Sequence, residues 1–391
     1  MKKVSKLLLG TFLTCFSLTA CKAELVADFL GGNKQESPKP VSSATPLSSI
    51  VETAKPNVSP SPVIDTEITS MKFVELKTGY EDKTQLAAIY PIDFKNVWAV
   101  GTKGTIIHTT DGGINWTMIN KGDKDLKSVF FLNSNLGWIA GANGVIFKTI
   151  DGGQTWTLQD STAQGAVIND IKFYDESNGV FVSDKGVYHS QDGGNTWIKK
   201  GDIFANSITY RPDGIPIIYT IGSGLSSDNS SLYKYSKGVW EKNINLGSSY
   251  NSIYYKYNIS LSFPTSLIGW LYWGNSIQKT VDGGDNWTKI EKFNTGSEFL
   301  TLSQVNPRFA QLITEKVGII IAYPYNYALI TKDGGITWGK ISVEGFMSQG
   351  TTIGIVSIGA LDYFYGNFYF KDLSHGWLLG NNQTIYRLGT P

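Results

Sequence analysis

The pattern S/T-x-D-G-G-x-x-W occurs five times in this chain and constrains its fold more than any other feature. A Ser or Thr ends one strand, and the Asp carboxylate that follows accepts backbone N–H groups across a tight turn. The Gly pair supplies positive φ angles, and the Trp starts the returning strand and lays its ring on the neighbouring layer. The five copies are Thr109–Trp116, Thr149–Trp156, Ser190–Trp197, Thr280–Trp287 and Thr331–Trp338.

Each copy, called here an Asp box, is predicted to be a hairpin turn with an aromatic anchor. One motif repeated five times does not describe five active sites, so we assign its residues to architecture and assign no catalytic residue. The predicted structural residues are Asp111, Trp116, Asp151, Trp156, Asp192, Trp197, Asp282, Trp287, Asp333 and Trp338.

A second repeated element precedes the boxes and raises the number of repeats to seven. It is a Gly-Trp pair or a variant of one, followed by an apolar strand. The box Trp residues leave a gap of two repeats between Trp197 and Trp287, and Trp240 lies near its middle as the remnant of a degraded box. The second elements are Val97-Trp98, Gly137-Trp138, Gly179-Val180, Pro216-Ile217, Gly269-Trp270, Gly318-Ile319 and Gly376-Trp377.

Repeats of about 40–50 residues with four short strands each indicate a β-propeller. The last repeat ends without a box or a fourth strand. Residues 71–78 alternate apolar and polar side chains and can supply that strand, which removes an exposed sheet edge. The sequence therefore predicts an all-β, seven-bladed β-propeller over residues 71–391, with its N-terminal strand closing the last blade.

The first 70 residues are predicted to contain an export signal, a membrane anchor and a spacer. Lys2, Lys3 and Lys6 precede an apolar run, and Leu18-Thr19-Ala20-Cys21 resembles a bacterial lipobox, so residues 1–20 are predicted to be a lipoprotein signal peptide. Cys21 would carry the lipid and hold the protein on the extracytoplasmic face of the cell membrane. The alternative is an ordinary signal peptide with an incidental Cys. Residues 21–70 are rich in Pro, Ser and Thr and predict a disordered spacer with a reach of roughly 35–40 Å.

Charge and titratable residues exclude several function classes. The chain has a net charge of +1 and no basic stripe, so nucleic acid is not an expected partner. His108 and His189 occupy one repeat position, which indicates a strand-surface site and not a metal-ligand pair. A lone box Asp beside two Gly has too few oxygen ligands for calcium. We therefore expect no metal and no cofactor.

The longer repeat, from Gly-Trp through a Gly-Asn-Gly turn to Thr-x-Asp-Gly-Gly-x-Thr-Trp, resembles the photosystem II stability and assembly factor family. The shorter Asp box is also shared with sialidases and other glycoside hydrolases. The family resemblance implies a non-enzymatic propeller that helps to assemble membrane protein complexes on the extracytoplasmic side, as a docking scaffold for a protein partner. The photosynthetic members resemble one another in an arginine-rich face, and this chain departs from them because it has three arginines.

The arginines also test an enzymatic function. A sialidase needs converging arginines for a substrate carboxylate, with a Tyr nucleophile activated by Glu. Arg211 and Arg308 are predicted to follow innermost strands near the box face, and Arg387 to lie in a third strand, so the three should not meet. We expect no enzyme; the alternatives are a surface glycan-binding module and a sialidase-like glycoside hydrolase.

Tyrosines concentrate in the second half of the chain, in segments that break the repeat spacing. These segments are predicted to share the face opposite the boxes, and clustered Tyr is common at binding surfaces. The alternative is that the rings pack inside irregular blades. Asn169 and Asp170, on an innermost strand, are a second candidate at the central channel. The hypothesised partner-binding residues, for a protein or a glycan, are Tyr325, Tyr327, Tyr363 and Tyr365.

Overall fold

The computed structural model describes residues 68, 70–80, 85–220, 230–246, 259–273, 276–322, 326–345, 368–379 and 384–389. All of them lie in the unit Pro60–Pro391. Nearly all of their regular secondary structure is β-strand. None of their helices is both long and apolar enough to span a bilayer. Cys21, the predicted signal peptide and nearly all of the predicted spacer lie outside the described residues.

Three four-stranded antiparallel sheets follow one another along the first half of the described chain. Each sheet is a meander, because its four strands pair in sequence order. The first contains β2 (Leu86–Pro91), β3 (Val97–Gly101), β4 (Thr105–Thr109) and β5 (Thr117–Asn120), after the separate strand β1 (Ser70–Leu76). The second contains β6 (Leu126–Phe131), β7 (Gly137–Gly141), β8 (Ile146–Thr149) and β9 (Thr157–Gln159). The third contains β10 (Ile168–Phe173), β11 (Gly179–Ser183), β12 (Gly186–Ser190) and β13 (Ile198–Gly201).

Two further four-stranded sheets and a small hairpin continue the same plan. The fourth contains β14 (Ser207–Tyr210), β15 (Pro216–Thr220), β16 (Ser231–Ser236) and β17 (Val239–Asn245). The fifth contains β18 (Ile259–Ser262), β19 (Gly269–Trp273), β20 (Ser276–Thr280) and β21 (Thr288–Lys289). The hairpin pairs β22 (Lys292–Asn294) with β23 (Phe299–Thr301) and leads into α1 (Leu302–Val305). A 3-10 turn covers Ala142–Gly144 in the second sheet.

The remaining strands form one eight-stranded sheet in the order β24-β25-β26-β27-β1-β30-β29-β28. We number its halves six and seven, because each half is a four-strand meander. Half six contains β24 (Pro307–Leu312), β25 (Gly318–Ala322), β26 (Tyr327–Thr331) and β27 (Gly339–Glu344). Half seven contains β28 (Phe368–Phe370), β29 (Gly376–Leu379), β30 (Ile385–Leu388) and the N-terminal strand β1.

The predicted closing strand is present, with one addition. Phe73–Leu76 of β1 pair antiparallel with β30, as expected for the missing outer strand. Ser70–Lys72 also pair in parallel with β27, which the sequence pattern did not predict. The strand therefore joins the last two four-strand units to each other.

Hydrogen bonds connect each unit to the next and the last to the first. Between the first and second sheets the Tyr90 hydroxyl donates to the Phe131 carbonyl, 2.8 Å away. Between the fifth sheet and half six the Tyr272 hydroxyl donates to the Pro307 carbonyl, at 2.7 Å. The Arg387 guanidinium of half seven reaches the Gly112 carbonyl in the first sheet. A closed succession of small sheets, with apolar clusters packed between neighbours, is the architecture of a β-propeller.

The fourth sheet lacks an Asp box, as the gap between tryptophans predicted. Ser236 pairs with Val239, so Lys237 and Gly238 form a two-residue hairpin turn. Both have positive φ, 49° and 86°, which is the type I′ geometry that suits the twist of a tight hairpin. Trp240 lies inside β17, at the start of the outer strand, and packs against Tyr235.

Candidate functional site: the Asp boxes and the seams between sheets

The box at Thr149–Trp156 shows how the motif closes its turn. The Thr149 hydroxyl donates to Asp151 Oδ1 at 2.8 Å and accepts the N–H of Gly153 at 2.8 Å. The same carboxylate oxygen accepts the Thr155 N–H at 2.8 Å, and Oδ2 accepts the Thr155 hydroxyl at 2.6 Å. Every oxygen of the Asp therefore has a donor within the turn.

All five boxes repeat this set of contacts, with Asn or Thr at the seventh position. The donated hydrogen bonds hold the pKa values of Asp111, Asp151 and Asp282 at about 2. The bonds from Thr196 lower the pKa of Asp192 in the same way. At Asp333 burial acts in the opposite direction, but the hydrogen bonds outweigh it and the pKa is again lowered. The oxygens of these carboxylates therefore accept hydrogen bonds within their own turns.

In four of the five boxes the second glycine lies against a tryptophan of the preceding sheet. A Cβ built on Gly153 would lie 2.2 Å from the Trp98 ring, and φ at Gly153 is +85°. The position therefore needs Gly for two reasons, the close approach and the left-handed backbone. Trp156 then covers Trp98 edge-on, with ring centroids 5.6 Å apart. The anchor Trp residues thus lie in the seams between sheets.

A cation from the preceding sheet also reaches four of the boxes. Lys148 Nζ donates to the Gly193 carbonyl at 2.8 Å, and Lys279 Nζ donates to the Gly334 carbonyl at 2.8 Å. The Arg387 guanidinium donates to the Gly112 carbonyl. We call this contact a clasp, a side-chain cation of one sheet bonded to the first-glycine carbonyl of the next box.

The fourth clasp comes from a different position. Arg211 Nη1 donates to the Gly283 carbonyl at 2.8 Å from the end of β14, and the side chain is held by Asp213. Lys234, on the third strand of the same sheet, pairs with Asp285 of that box. The Arg211 and Arg387 side chains are therefore buried in separate seams and do not converge on one site.

Arg308 lies within the innermost strand β24. The prediction that it follows an innermost strand was wrong, because β24 starts at Pro307, only one residue before it.

The clasp position can be followed around the ring by strand register. It lies opposite the second residue of each second strand and is occupied, from the first unit to the seventh, by His108, Lys148, His189, Lys234, Lys279, Ile330 and Arg387. His189 and Ile330 face the two units that have no box. The position is therefore a cation or a histidine wherever the next unit carries a box.

The two histidines are packed as neutral rings. His108 stacks on Trp98 with ring centroids 3.8 Å apart, and burial lowers its pKa to about 4. His189 lies 4.4 Å from the Tyr235 ring, and burial, with a smaller effect of Lys200, lowers its pKa to about 4. Among the described residues, no group of three or more His, Cys, Asp or Glu side chains is arranged to hold a metal ion.

Asp170, the channel candidate, joins three sheets. Its Oδ1 accepts the Ser128 hydroxyl of the second sheet at 2.7 Å and Lys172 Nζ at 3.0 Å. Its Oδ2 accepts the Ser207 hydroxyl of the fourth sheet at 2.6 Å and the Ile208 N–H at 3.0 Å. The side chain is buried and bonded to its neighbours, so the structure gives it a seam contact in place of a free acid at the channel.

Asn169, the other channel candidate, likewise bonds across a seam, to the Ala205 carbonyl at 3.0 Å.

Of the four tyrosines predicted to bind a partner, only Tyr327 is among the described residues. Its hydroxyl donates to the Val305 carbonyl at 3.2 Å, and Lys340 Nζ lies 4.5 Å from its ring centroid. Tyr327 therefore packs partly inside its sheet, and burial raises the pKa of its hydroxyl. Tyr325, Tyr363 and Tyr365 lie outside the described residues.

Comparison with known proteins supports the resemblance drawn from the repeats. Residues 67–164 match the family profile described as "Photosynthesis system II assembly factor YCF48", so the chain is similar to that family over its first repeats. A comparison with curated proteins finds no match.

Solved structures extend the likeness to most of the chain. YCF48 bound to a D1 peptide is 20% identical, with a TM-score of 0.56 over 83% of this chain and 99% of that chain. YCF48 from Cyanidioschyzon merolae is 15% identical, with a TM-score of 0.53 over 81% and 98%. A streptogramin B lyase is 12% identical, with a TM-score of 0.56 over 82% and 98%. At these identities the likeness is one of fold, and this fold is shared by assembly factors and enzymes.

Proposed function

We propose that this chain is a non-enzymatic, lipid-anchored β-propeller of seven blades that docks a protein partner during the assembly of a membrane protein complex. The observation that carries the proposal is the match of residues 67–164 to an assembly factor family. The wider likeness to YCF48 bound to a D1 peptide supports a protein segment as the partner.

The count of seven takes each half of the eight-stranded sheet as one blade. It is supported by the register of the seven second strands and by the succession of contacts that returns from Arg387 to Gly112. Because β1 pairs with both β27 and β30, the two last blades read as one sheet.

The non-enzymatic part of the proposal rests on how the charged groups are used. The box carboxylates accept hydrogen bonds inside their own turns, and Asp170 bonds to strands of the two neighbouring sheets. Arg211 and Arg387 clasp boxes in different seams. These groups therefore have structural partners, whereas a hydrolase of the sialidase class needs arginines that meet at a substrate carboxylate.

The partner site is proposed on the face opposite the boxes, where the tyrosine-rich connections of the last blades are predicted to lie. Tyr327 has a packing role, so a clean test leaves it in place. The test variant combines Tyr325→Ala, Tyr363→Ala and Tyr365→Ala. Tyr174→Ala is the matched control, since Tyr174 begins a turn on the box face, where Gly193 donates to Ser177.

The assay captures partners from native membranes with the full-length, lipidated chain and identifies them by cross-linking and mass spectrometry. The proposal expects subunits of one membrane complex, enriched with wild type and Tyr174→Ala and lost with the triple variant. It also expects the Cys21→Ser protein to be absent from the membrane fraction, because it cannot be lipidated. If the triple variant captures the partner as well as the wild type does, the tyrosine-rich face is not the binding site. If the Cys21→Ser protein stays in the membrane fraction, Cys21 does not carry the lipid anchor.

A further inference from the structure

The seam between half six and half seven is built differently from the clasped seams. Half seven carries no Asp box, and Ile330 occupies the clasp position of half six. Here Gln311 Nε2 donates to the Phe370 carbonyl at 3.0 Å, and Gln311 Oε1 accepts the Phe370 N–H at 3.1 Å. The strand β1 also crosses this seam, beside the packed rings of Phe309 and Phe370.

β1 divides its pairing between the two units. Ser70, Met71 and Lys72 lie opposite Ser342, Val343 and Glu344 of β27 in parallel. The next residues, Phe73–Leu76, turn to the antiparallel ladder with β30. We call the first three residues, Ser70–Lys72, the strap. The strap pairs with the outer edge of β27, and no hairpin turn joins these two strands because they are remote in sequence.

The strap shows what kind of segment this edge accepts. Met71 is 1% exposed and belongs to the same apolar cluster as Ile341 and Val343. Ser70 is exposed, and Lys72 is exposed and lies opposite the acidic Glu344. The edge therefore takes an extended segment with an apolar residue flanked by polar ones, a basic residue being favoured on the C-terminal side.

The strap covers only part of the edge. β27 runs from Gly339 to Glu344, and the described pairing with β1 begins at Ser342. Ile68, which precedes the strap, packs on the same cluster but belongs to no strand. A segment that pairs along all six residues would make more main-chain hydrogen bonds than the strap does, and main-chain pairing is the source of affinity in strand addition.

We propose that the outer edge of β27 is a docking strip for an extended protein segment, which adds in parallel and replaces the strap Ser70–Lys72. This deepens the proposed docking function and rests on it. The occupant is a peptide chain with an apolar residue in the place of Met71, because the chain's own segment of that chemistry already occupies the strip.

A reversible lock tests the proposal. Ser70 and Ser342 are register partners and both are exposed, so Ser70→Cys with Ser342→Cys places two thiols within disulfide reach. The full-length chain carries this pair with Cys15→Ser and Cys21→Ser, which removes the two native cysteines. The probe is a fluorescent peptide with the sequence of residues 66–73, and its Met71→Asp version is the control peptide.

The proposal expects the peptide to bind the reduced protein and oxidation to weaken binding by at least about tenfold, equivalent to about 1.4 kcal/mol. The control peptide should bind weakly in both states, and Met71→Gly in the chain should strengthen peptide binding by loosening the strap. Mass spectrometry confirms the disulfide. The docking strip is refuted if oxidation leaves peptide binding unchanged. It is also refuted if the peptide binds neither the reduced double-cysteine protein nor the Met71→Gly protein.

The same locked protein separates this proposal from the docking function. Because this protein lacks the Cys21 lipid, its capture of the partner is measured on detergent-solubilised membranes, with the disulfide closed and after reduction, and is compared with capture by the chain that carries Cys15→Ser and Cys21→Ser alone. Capture in both states, without peptide binding, would refute the strip and leave the docking function standing. Peptide binding without partner capture would refute the docking function and establish the strip as a strand-binding edge.

Discussion

Lys148→Met is expected to weaken the seam between the second and third sheets. The substitution keeps an apolar stem of similar length and removes the ammonium group. In the wild type that group donates to the Gly193 carbonyl at 2.8 Å and lies 5.7 Å from the Trp138 ring centroid. Loss of the clasp leaves Gly193 with the longer bond from Trp138 Nε1, at 3.3 Å.

The magnitude follows from these contacts. Hydrogen bonds to charged groups contribute about 1.5–3 kcal/mol, and the lower part of that range applies because Lys148 is only half-buried. The remaining bond from Trp138 means that the carbonyl is not left unsatisfied, so no further desolvation penalty is added. Lys148→Met should therefore lower the free energy of unfolding by about 1.5–2 kcal/mol.

Urea unfolding monitored by tryptophan fluorescence measures this change as a shift of the midpoint at constant m-value. The matched control is Lys332→Met, which removes an exposed lysine at the second position of a box. The control should change stability by less than about 0.5 kcal/mol. Equal effects of the two substitutions, or none from Lys148→Met, would refute the clasp as a stabilising contact.

Three further changes test the same packing. Gly153→Ala should cost about 2–4 kcal/mol in thermal or urea unfolding, because it adds a Cβ against Trp98 at a left-handed backbone position; a neutral result would contradict the seam geometry. Since folding lowers the pKa values of His108 and His189 from 6.5 to about 4, stability should be full above pH 6.5 and should fall between pH 6.5 and about 4. His189→Gln should flatten that slope, and an unchanged slope would count against a buried neutral ring. Asp170→Ala should cost about 3–5 kcal/mol by leaving donors of three sheets unpaired; a loss under about 1 kcal/mol would show that the seams do not depend on it.

The repeating parts of the fold could be predicted from the sequence because their physics is local. A box places its Ser or Thr, Asp and Gly residues within eight positions, so the turn, the positive φ angles and the outer Trp all follow from one short pattern. Between Trp197 and Trp287 the sequence predicted the remnant of a degraded box at Trp240, and the two-residue turn at Lys237 and Gly238 was not predicted.

The contacts between units could not be predicted in the same way. Lys148 and Gly193 are 45 residues apart, and the shared repeat position of His108, Lys148 and Lys279 showed only that they lie on equivalent strand surfaces. That position was a usable signal, since Lys148, Lys279 and Arg387 each meet a first-glycine carbonyl of the next box. The role of this position became clear only from the strand register, which shows the neighbouring sheet that each side chain faces.

The strap and the hairpin β22–β23 were missed for a related reason. Alternation in residues 71–78 indicated one outer strand and one partner, whereas β1 changes partner between Lys72 and Phe73. The hairpin lies in a connection without a repeat pattern, and its two strands have three residues each. Short pairings of this kind are decided by neighbouring sheets, such as the bond from Trp338 N–H to the Asn294 carbonyl.

The central claim is that the box carboxylates hold turns together and have no other chemistry, and Asp192→Ala tests it most directly. Asp192 accepts the Thr196 N–H at 2.8 Å, the Thr196 hydroxyl at 2.6 Å and the Ser190 hydroxyl at 2.9 Å. Asp202→Ala, at an exposed carboxylate of the same sheet, is the control. The account predicts that Asp192→Ala lowers the free energy of unfolding by about 1–2 kcal/mol, in the range of lost turn-capping carboxylates, while partner capture by the folded protein is unchanged. Unchanged stability with lost capture would contradict it.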